Sequence, residues 1–289
     1  MSAPPPAGPQ LIEVVRRSTR HLQARGVASA RLEAEVLVAH ALGMTRLDLY
    51  VHFDRPLEEA ELARIRPLLG ARASGRPLAQ VVGDREFFGL SFAVGERALI
   101  PRPESELMVE IALRAGRPVE RAADLGCGTG CLGITLAVRS RLVQVDLVDL
   151  DPGAVKLAAA NAARHGVTDR VSAFCGSWAE PLSRRGPYQL ILSNPPYVTT
   201  GEWEGLERTV RDFEPRLALD GGDDGLAAYR QLLAQVGSVA APGALLLLEG
   251  DPRRLPLVQE LAEAALPGSR GTLHKDLSGR ERVLELSLP

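Results

Sequence analysis

Hydrophobic residues in the first quarter of the chain recur at helical spacing. Leu11, Val15 and Leu22 stand four and seven positions apart, which is the spacing of one face of an α-helix. Similar repeats follow, so we expect residues 10–78 to form a small helical domain. Pro67 lies within this pattern, and because proline removes a helical hydrogen bond we expect a kink or a break near it.

A period of two replaces the helical period further along the chain. Phe88, Leu90 and Phe92 alternate with small or polar residues, and this alternation predicts a β-strand. We expect the strand to belong to a β-hairpin linker over residues 79–98, with Ala79–Val82 as its first arm.

The remaining residues, 99–289, alternate short apolar runs with helical patterns. Strands are expected at 121–125, 143–149, 171–175, 189–193 and 244–249, and helices at 131–139, 152–165 and 226–236. Alternation of strands and helices predicts an α/β fold with a mostly parallel, Rossmann-like sheet covered by helices on both faces. Two further strands, 272–275 and 282–288, are expected to close it as an antiparallel pair.

Composition narrows the class of protein. With 45% hydrophobic and 24% charged residues, the chain is neither collagen-like nor fully disordered. Its 34 basic and 36 acidic residues leave a net charge of −2, so the basic footprint of a DNA-binding protein is missing and no DNA partner is expected. No apolar run has the length of a membrane span. Three cysteines argue against a disulfide framework, so we expect a cytoplasmic protein. The Pro-rich residues 1–9 are expected to form a disordered tail.

A glycine motif, Asp124-Leu125-Gly126-Cys127-Gly128-Thr129-Gly130, joins the first strand of the alternating region to a helix. Glycines allow a sharp turn and close approach of a ligand, while the helix N-terminus offers unpaired N–H groups. The motif therefore predicts a nucleotide-type cofactor. Because Gly128, Gly130 and Gly133 also match the pattern of dinucleotide-binding folds, the glycines alone leave NAD and S-adenosylmethionine open.

Two acidic residues follow the next strand. Asp149 ends it, at the carboxyl edge of the sheet, and its two acceptor oxygens suit the two hydroxyls of a ribose. Asp151 precedes Pro152 at the start of a helix, where aspartate is a preferred cap. We therefore predict Asp149 as the cofactor ligand and Asp151 as the helix cap.

The tetrapeptide Asn194-Pro195-Pro196-Tyr197 follows another strand. Its prolines stiffen the backbone and leave carbonyl groups free to accept hydrogen bonds. The Asn194 side-chain oxygen and a proline carbonyl can hold both hydrogens of a planar –NH2 group, and the Tyr197 ring can stack on its face. This pattern predicts amino-group methylation, with Asn194, Pro195 and Tyr197 as catalytic residues. Together with Asp124 ahead of the glycines, it favours S-adenosylmethionine as the cofactor.

These motifs and the upstream segment Ile100-Pro101-Arg102-Pro103-Glu104-Ser105-Glu106 resemble the protein-(glutamine-N5) methyltransferases of peptide chain release factors, the HemK/PrmC family. The resemblance covers nearly the whole chain after Gln10 and includes Glu214-Pro215. The chain departs from the family pattern at Ser105, where threonine is usual, and at residues 249–251, which lack a frequent glutamine.

The resemblance implies a class I methyltransferase domain behind a helical N-terminal domain that docks the protein substrate. It implies methyl transfer from S-adenosylmethionine to the glutamine of the Gly-Gly-Gln motif in release factors, and we expect a monomer. The predicted cofactor residues are Asp124, Gly126, Cys127, Gly128, Thr129, Gly130, Asp149, Trp178 and Asn194. The predicted substrate residues are Asn194, Pro195, Pro196 and Tyr197.

Alternatives remain at this point. The Asn-Pro-Pro-Tyr motif is shared with adenine and cytosine amino-methyltransferases of DNA, and a ribosomal-protein glutamine is another possible substrate. A nicotinamide-dependent oxidoreductase fits the glycines, and a non-catalytic adaptor fits the fold. Trp178 is also compatible with a purely structural core position, and Arg102 with a stiff start of a helix. Cys127 and Cys131 lack the second pair that a metal site needs, so no metal is predicted.

Overall fold

The computed structural model describes residues 8–116, 118–141 and 143–289. Contacts divide the chain after Gly83 into two compact units, the second of which runs from Asp84 to Pro289. Most of the tail predicted for residues 1–9 lies outside the described residues. No helix in the described part is both long and apolar enough to cross a membrane.

The N-terminal unit is helical, as its hydrophobic spacing predicts. Its helices are α1 (Leu11–Gln23), α2 (Ala30–Leu42), α3 (Asp48–Val51), α4 (Glu59–Ala73) and α5 (Leu78–Val82). Leu11, Val38 and Ile65 come from three different helices and are buried together in one apolar cluster. The periodic residues of the sequence therefore form the core of this unit.

Of two local predictions in this part of the chain, the first arm of the hairpin is wrong, and the break expected near Pro67 does not occur. Helix α4 continues through Pro67 without a break, and the next two residues, Leu68 and Leu69, pack against the apolar clusters of this unit. The predicted first arm of the hairpin, Ala79–Val82, belongs to the helix α5. Its apolar residues pack against the helical core, since so short a run fits a helical period as well as a strand.

The hairpin itself lies later, in the C-terminal unit. Strands β1 (Asp84–Phe87) and β2 (Leu90–Ala93) pair antiparallel. Phe88 and Gly89 form the turn between them, with φ of 52° and 71°. Positive φ at both central residues is typical of the tight turn that matches the twist of paired strands.

The C-terminal unit alternates strands and helices as the sequence predicts. Its strands are β3 (Arg121–Leu125), β4 (Gln144–Asp149), β5 (Val171–Cys175), β6 (Tyr188–Ser193), β7 (Ala240–Glu249), β8 (Arg270–Lys275) and β9 (Glu281–Ser287). Its helices are α6 (Glu106–Arg114), α7 (Cys131–Arg139), α8 (Pro152–Arg164), α9 (Arg208–Arg211), α10 (Ala227–Val236) and α11 (Leu255–Ala265). The sequence analysis missed α9 and α11.

Seven strands form one sheet in the order β5-β4-β3-β6-β7-β9-β8. The first five strands of that order are parallel, while β9 and β8 close the edge as the expected antiparallel pair. Successive residues of a strand point to opposite faces of the sheet and belong to two different apolar clusters. Ala122 packs in a cluster with residues of α7, and Ala123 packs in a second cluster with residues of α10. Helices therefore cover both faces of the sheet.

The chain order reverses between β3 and β6, the two central strands. From β3 the chain winds toward β5, whereas from β6 it winds toward β7. Ligands of such sheets bind beyond the carboxyl ends of the strands at this switch point. Leu125 pairs with Ser193 at the end of the two strands, so the glycine motif and Asn194 leave the sheet side by side.

Candidate active site

A cavity of about 280 Å³ opens at the switch point. Its wall is built from the glycine loop, the ends of β4 and β6, the segment before α6 and the loop before α10. Eight of the residues predicted from the sequence line it, namely Gly126, Cys127, Gly128, Thr129, Asp149, Trp178, Asn194 and Pro196. Four others, Asp124, Gly130, Pro195 and Tyr197, are not among its lining residues.

Left-handed glycines shape the loop between β3 and α7. Gly126, Gly128 and Gly130 have φ of 74°, 55° and 77°, a region that side chains other than glycine rarely adopt. The backbone N–H groups of Gly126 and Cys127 both donate to the Val148 carbonyl, at 2.8 and 2.9 Å. The loop is thus fixed to the end of β4 and presents its backbone to the cavity.

Asp149 lies at the end of β4, on the cavity wall. Its Oδ2 accepts from Gly128 N at 2.8 Å, and its Oδ1 accepts from Asp151 N at 2.9 Å. Burial raises the pKa of this carboxyl. Because each carboxylate oxygen can accept more than one hydrogen bond, both remain able to receive a diol.

Asp151 caps α8, as the sequence predicts. Its Oδ1 accepts from Gly153 N at 2.6 Å, and its carboxylate forms a 2.7 Å ion pair with Arg97. Hydrogen bonds from Gly153 and Arg97 outweigh the effect of partial burial and lower the pKa of Asp151.

Asp124 is placed behind the glycine loop and not on the cavity wall. Its side chain is buried, and its Oδ2 accepts from Gly133 N at 2.9 Å. Burial raises the pKa of this carboxyl to about 7. This hydrogen bond joins the end of β3 to the first turn of α7, so the structure gives Asp124 a role in holding the glycine loop.

Trp178 contacts both the cavity and the core. Its ring lines the cavity and packs against the apolar cluster under α10, and its Nε1 donates to Gln231 Oε1 at 3.2 Å. Its φ is 49°, a left-handed value that costs energy for a residue with a side chain. The position of Trp178 is therefore compatible with both interpretations from the sequence, a cofactor residue and a structural core residue.

The tetrapeptide after β6 is divided between cavity and core. Asn194 faces the cavity, and its Nδ2 donates to Ser105 Oγ at 3.4 Å. Pro195 is buried, and Tyr197 packs against the second apolar cluster. Burial is the main cause that raises the pKa of Tyr197 to about 12, so its hydroxyl stays protonated.

An ion pair that the sequence did not indicate joins two parts of the cavity wall. Glu214 is buried, its Oε1 accepts from Arg102 Nη2 at 2.6 Å, and its Oε2 accepts from Ile100 N at 3.1 Å. The segment before α6 is thereby tied to the loop before α10. The resemblance drew on both the segment 100–106 and Glu214-Pro215. No rule of sequence spacing predicts contact between residues so far apart in the chain.

A second buried glutamate was also missed. Glu249 ends β7 and is 1% exposed. Burial raises the pKa of its carboxyl to about 7. The signal in the sequence was a glutamate that ends a run of four leucines, which is an unusual place for a carboxylate.

The cysteines are all free. Burial raises the pKa of Cys131 to about 12, which keeps this thiol protonated. Among the described ranges no group of three or more His, Cys, Asp or Glu side chains is arranged to hold a metal ion.

Both units of this chain are similar to known protein domains. Residues 13–83 match the family model described as PrmC N-terminal domain, and residues 104–221 match the Methyltransferase small domain. A release factor glutamine methyltransferase of Geobacter sulfurreducens is 45% identical over 79% of this chain and 80% of its own length. One of Cereibacter sphaeroides is 38% identical over 96% of this chain and 98% of its own.

A solved methyltransferase from Pyrococcus furiosus has the same fold, with a TM-score of 0.53 at 18% identity over 75% of this chain and 98% of that one. Such a likeness supports the class I methyltransferase fold. The sequence relatives go further, because their similarity extends across both units. The chain belongs to the release factor glutamine methyltransferase family.

Proposed function

We propose that the protein transfers a methyl group from S-adenosylmethionine to the side-chain amide nitrogen of the glutamine in the Gly-Gly-Gln motif of peptide chain release factors. The observation that carries the proposal is the meeting of the glycine loop and Asn194 in one cavity, directly beyond the paired residues Leu125 and Ser193. As a member of this family, the protein is an S-adenosylmethionine-dependent methyltransferase.

The residues of the cavity fit this cofactor. The Asp149 carboxylate suits a ribose diol, the Trp178 ring offers an apolar surface for a base, and Gly126 and Gly128 leave room for close approach. When bound, S-adenosylmethionine supplies an electrophilic methyl group on a sulfonium. The half-buried carboxylate of Asp149 adds negative charge to a cavity that receives a cation.

The acceptor nitrogen needs help from the protein, because an amide lone pair is delocalised over the carbonyl, as the barrier of about 18–20 kcal/mol to amide rotation shows. We assign Asn194 Oδ1 and the Pro195 carbonyl to accept the two N–H hydrogens of the substrate. Acceptors in these positions favour a tetrahedral nitrogen and orient it for attack. Tyr197 is assigned to support the face of the amide from the core side.

The charge around the cavity disfavours the DNA alternative. Arg97 and Arg102 lie on the wall, but Arg97 pairs with Asp151 and Arg102 pairs with the buried Glu214. Arginines that are already paired with carboxylates are poor phosphate ligands. An enzyme that flips a base out of DNA must bind the phosphate backbone on both sides of that base. Binding of a protein substrate does not require such phosphate-binding arginines.

We further propose that the helical N-terminal unit docks the release factor, since one glutamine side chain offers too little surface for selectivity. We also propose a cytoplasmic location, since the proposed substrate acts in translation. A monomer stays our prediction.

Mass spectrometry of release factors incubated with the enzyme and isotope-labelled methyl donor tests the proposed function. The label is expected on the glutamine of the Gly-Gly-Gln motif, and a release factor with alanine in that position serves as the matched control. Asn194→Ala is expected to lower the rate by about 10²–10³, as for loss of one preorganised polar group at a reacting centre. Labelling of duplex DNA or of a ribosomal protein instead of the release factor would contradict the proposal.

A further inference from the structure

We propose that Gln231, a residue of α10 on the cavity wall, binds the adenine base of S-adenosylmethionine. Its amide oxygen holds the indole of Trp178 in place, and its amide N–H groups donate to a ring nitrogen of the base. The inference rests on the cofactor part of the proposed function and does not depend on which protein accepts the methyl group.

The expected place of the base follows from the ribose site at Asp149. This residue pairs with Cys175 where β4 and β5 end, and its carbonyl accepts from Gly176 N at 3.0 Å. The segment after β5 therefore runs directly beside the ribose site. Trp178 belongs to this segment, and its ring lines the same cavity. Because aromatic rings are good stacking surfaces for bases, we expect the base to lie against this indole.

The indole of Trp178 spans the distance between the glycine loop and α10. A Cβ at Gly126 would lie 3.4 Å from Trp178 Cζ3. At the opposite end of the indole, Nε1 donates to Gln231 Oε1 at 3.2 Å. A base stacked on this ring and bonded to a ribose at Asp149 therefore comes within reach of the Gln231 side chain.

Helix α10 holds the backbone next to Trp178 as well as its ring. Ala179 N donates to Gln235 Oε1 at 3.1 Å, and Gln235 lies four residues after Gln231, on the same face of the helix. Trp178 itself has a φ of 49°. Strained backbone of this kind persists where the surroundings fix it, and it is common at ligand sites. The two glutamines supply that fixation from one helix.

The hydrogen bond to Trp178 determines which end of the Gln231 amide remains for a ligand. An indole N–H group only donates, so it bonds to the amide oxygen of Gln231 and not to the amide nitrogen. The two hydrogens on Nε2 are left for other acceptors. Adenine carries such acceptors at its ring nitrogens N1, N3 and N7, so a glutamine held in this orientation complements the base.

Calorimetric titration with S-adenosylhomocysteine tests the contact without turnover, since this compound has the same adenosine but no methyl group to transfer. Gln231→Leu removes both the acceptor for Trp178 and the donors for the base. Its Kd is expected to rise at least about tenfold, which corresponds to one hydrogen bond of about 1.4 kcal/mol. Gln231→Glu keeps an oxygen for Trp178 Nε1 but loses the donors, and its Kd is expected to rise by a similar factor.

Gln235→Glu is the matched control for the added charge. It introduces the same carboxylate one turn further along α10 and keeps an oxygen for Ala179 N, and Gln235 is not among the residues that line the cavity. Its Kd is expected to stay within about twofold of the wild-type value. Thermal unfolding of each variant verifies that the protein still folds.

Analogues of the ligand identify the atom that Gln231 contacts. In three of them a C–H group replaces N1, N3 or N7 of the adenine in S-adenosylhomocysteine. One of the three is expected to bind the wild type about tenfold more weakly than the parent compound, and Gln231→Leu is expected to bind that analogue and the parent equally well.

The outcomes separate a contact with the base from a structural role. Full affinity in Gln231→Glu, together with a loss in Gln231→Leu, would show that Gln231 only positions Trp178 and would overturn the base contact. Equal binding of all three analogues and the parent compound by the wild type would overturn it as well. A protein that shows the expected Kd values but leaves the release factor unmethylated would overturn the proposed function and not the assignment of Gln231.

Discussion

A carboxyl group that water cannot reach sits under the glycine loop. Asp124 is 1% exposed and receives one hydrogen bond, from Gly133 N, while its Oδ1 has no partner among the described residues. Burial accordingly raises its pKa to about 7 from a usual 3.8. Ionisation of Asp124 is therefore easier in the unfolded chain than in the folded one.

This residue gives a prediction for stability against pH. Between about pH 4 and pH 7 the unfolded chain has released the Asp124 proton and the folded protein has kept it, so the free energy of unfolding falls as pH rises across this window. Asp124→Asn removes the titrating group and keeps an oxygen to accept from Gly133 N. We expect the variant to gain on the order of 2 kcal/mol relative to wild type between about pH 5 and about pH 8.

Thermal unfolding of both proteins at the two pH values, without cofactor, measures the difference. Glu249 titrates in the same range in both proteins, so its contribution cancels. A constant gap in Tm between Asp124→Asn and wild type would show that the carboxyl ionises equally easily in the folded and unfolded chains.

The sequence analysis predicted both Asp149 and Asp124 as cofactor residues, but of the two only Asp149 lies on the cavity wall. Strand alternation explains the difference. Asp124 shares a strand face with Ala122, which packs in the cluster under α7, whereas Asp149 is the last residue of its strand. The place of Glu249 beside Asn194 lay beyond sequence reasoning, since it depends on which strands are neighbours.

The glycine loop depends on its sequence for packing as well as for its backbone conformation. Gly130 precedes α7 with φ of 77°. A Cβ at this position would come within 2.7 Å of Ile134 Cδ1, 3.1 Å of Leu147 Cδ1 and 3.2 Å of Ala158 Cβ. Gly130 is therefore needed for packing beneath the loop, although it does not line the cavity.

Gly130→Ala is expected to lower the free energy of unfolding by about 2–4 kcal/mol, since left-handed strain and overpacking add. Gly166→Ala is the matched control in the same unit, because Gly166 has φ of 66° but open space where its Cβ would lie. The control is expected to lose only the strain, about 1–2 kcal/mol. Denaturant unfolding compares the two, and equal losses would show that contacts of a Cβ at position 130 are absorbed without cost.

Elements with one clear period were predictable, and the others were not. Strands β3 and β5 and helix α7 begin and end where the sequence analysis placed them, because turns or glycines bound their apolar runs. Ala79–Val82 fits both periods, so only packing against the helical unit decides its structure. Helix α11 contains none of the sequence motifs on which the predictions relied.

For the whole molecule, the two family matches correspond to two compact units. The described residues that line the cavity all belong to the C-terminal unit, and none of them comes from the N-terminal unit. Its helix α3 and the flanking loops expose large apolar side chains, with Leu47 72%, Val51 61% and Phe53 52% exposed. Because contiguous exposed apolar side chains mark interaction sites, we propose that these side chains form a surface that contacts the protein substrate.

The docking hypothesis predicts that this surface affects recognition of the whole release factor only. Exchanging Val51 and Phe53 for glutamate is expected to raise the KM for an intact release factor at least about tenfold, because each apolar side chain contributes about 1.5–3 kcal/mol when buried. The KM for a short Gly-Gly-Gln peptide and the kcat for both substrates are expected to stay at the wild-type values. Leu277→Glu, at an exposed position of the C-terminal unit, is the control. Parallel changes in KM for peptide and protein would mean that the N-terminal unit does not dock the substrate.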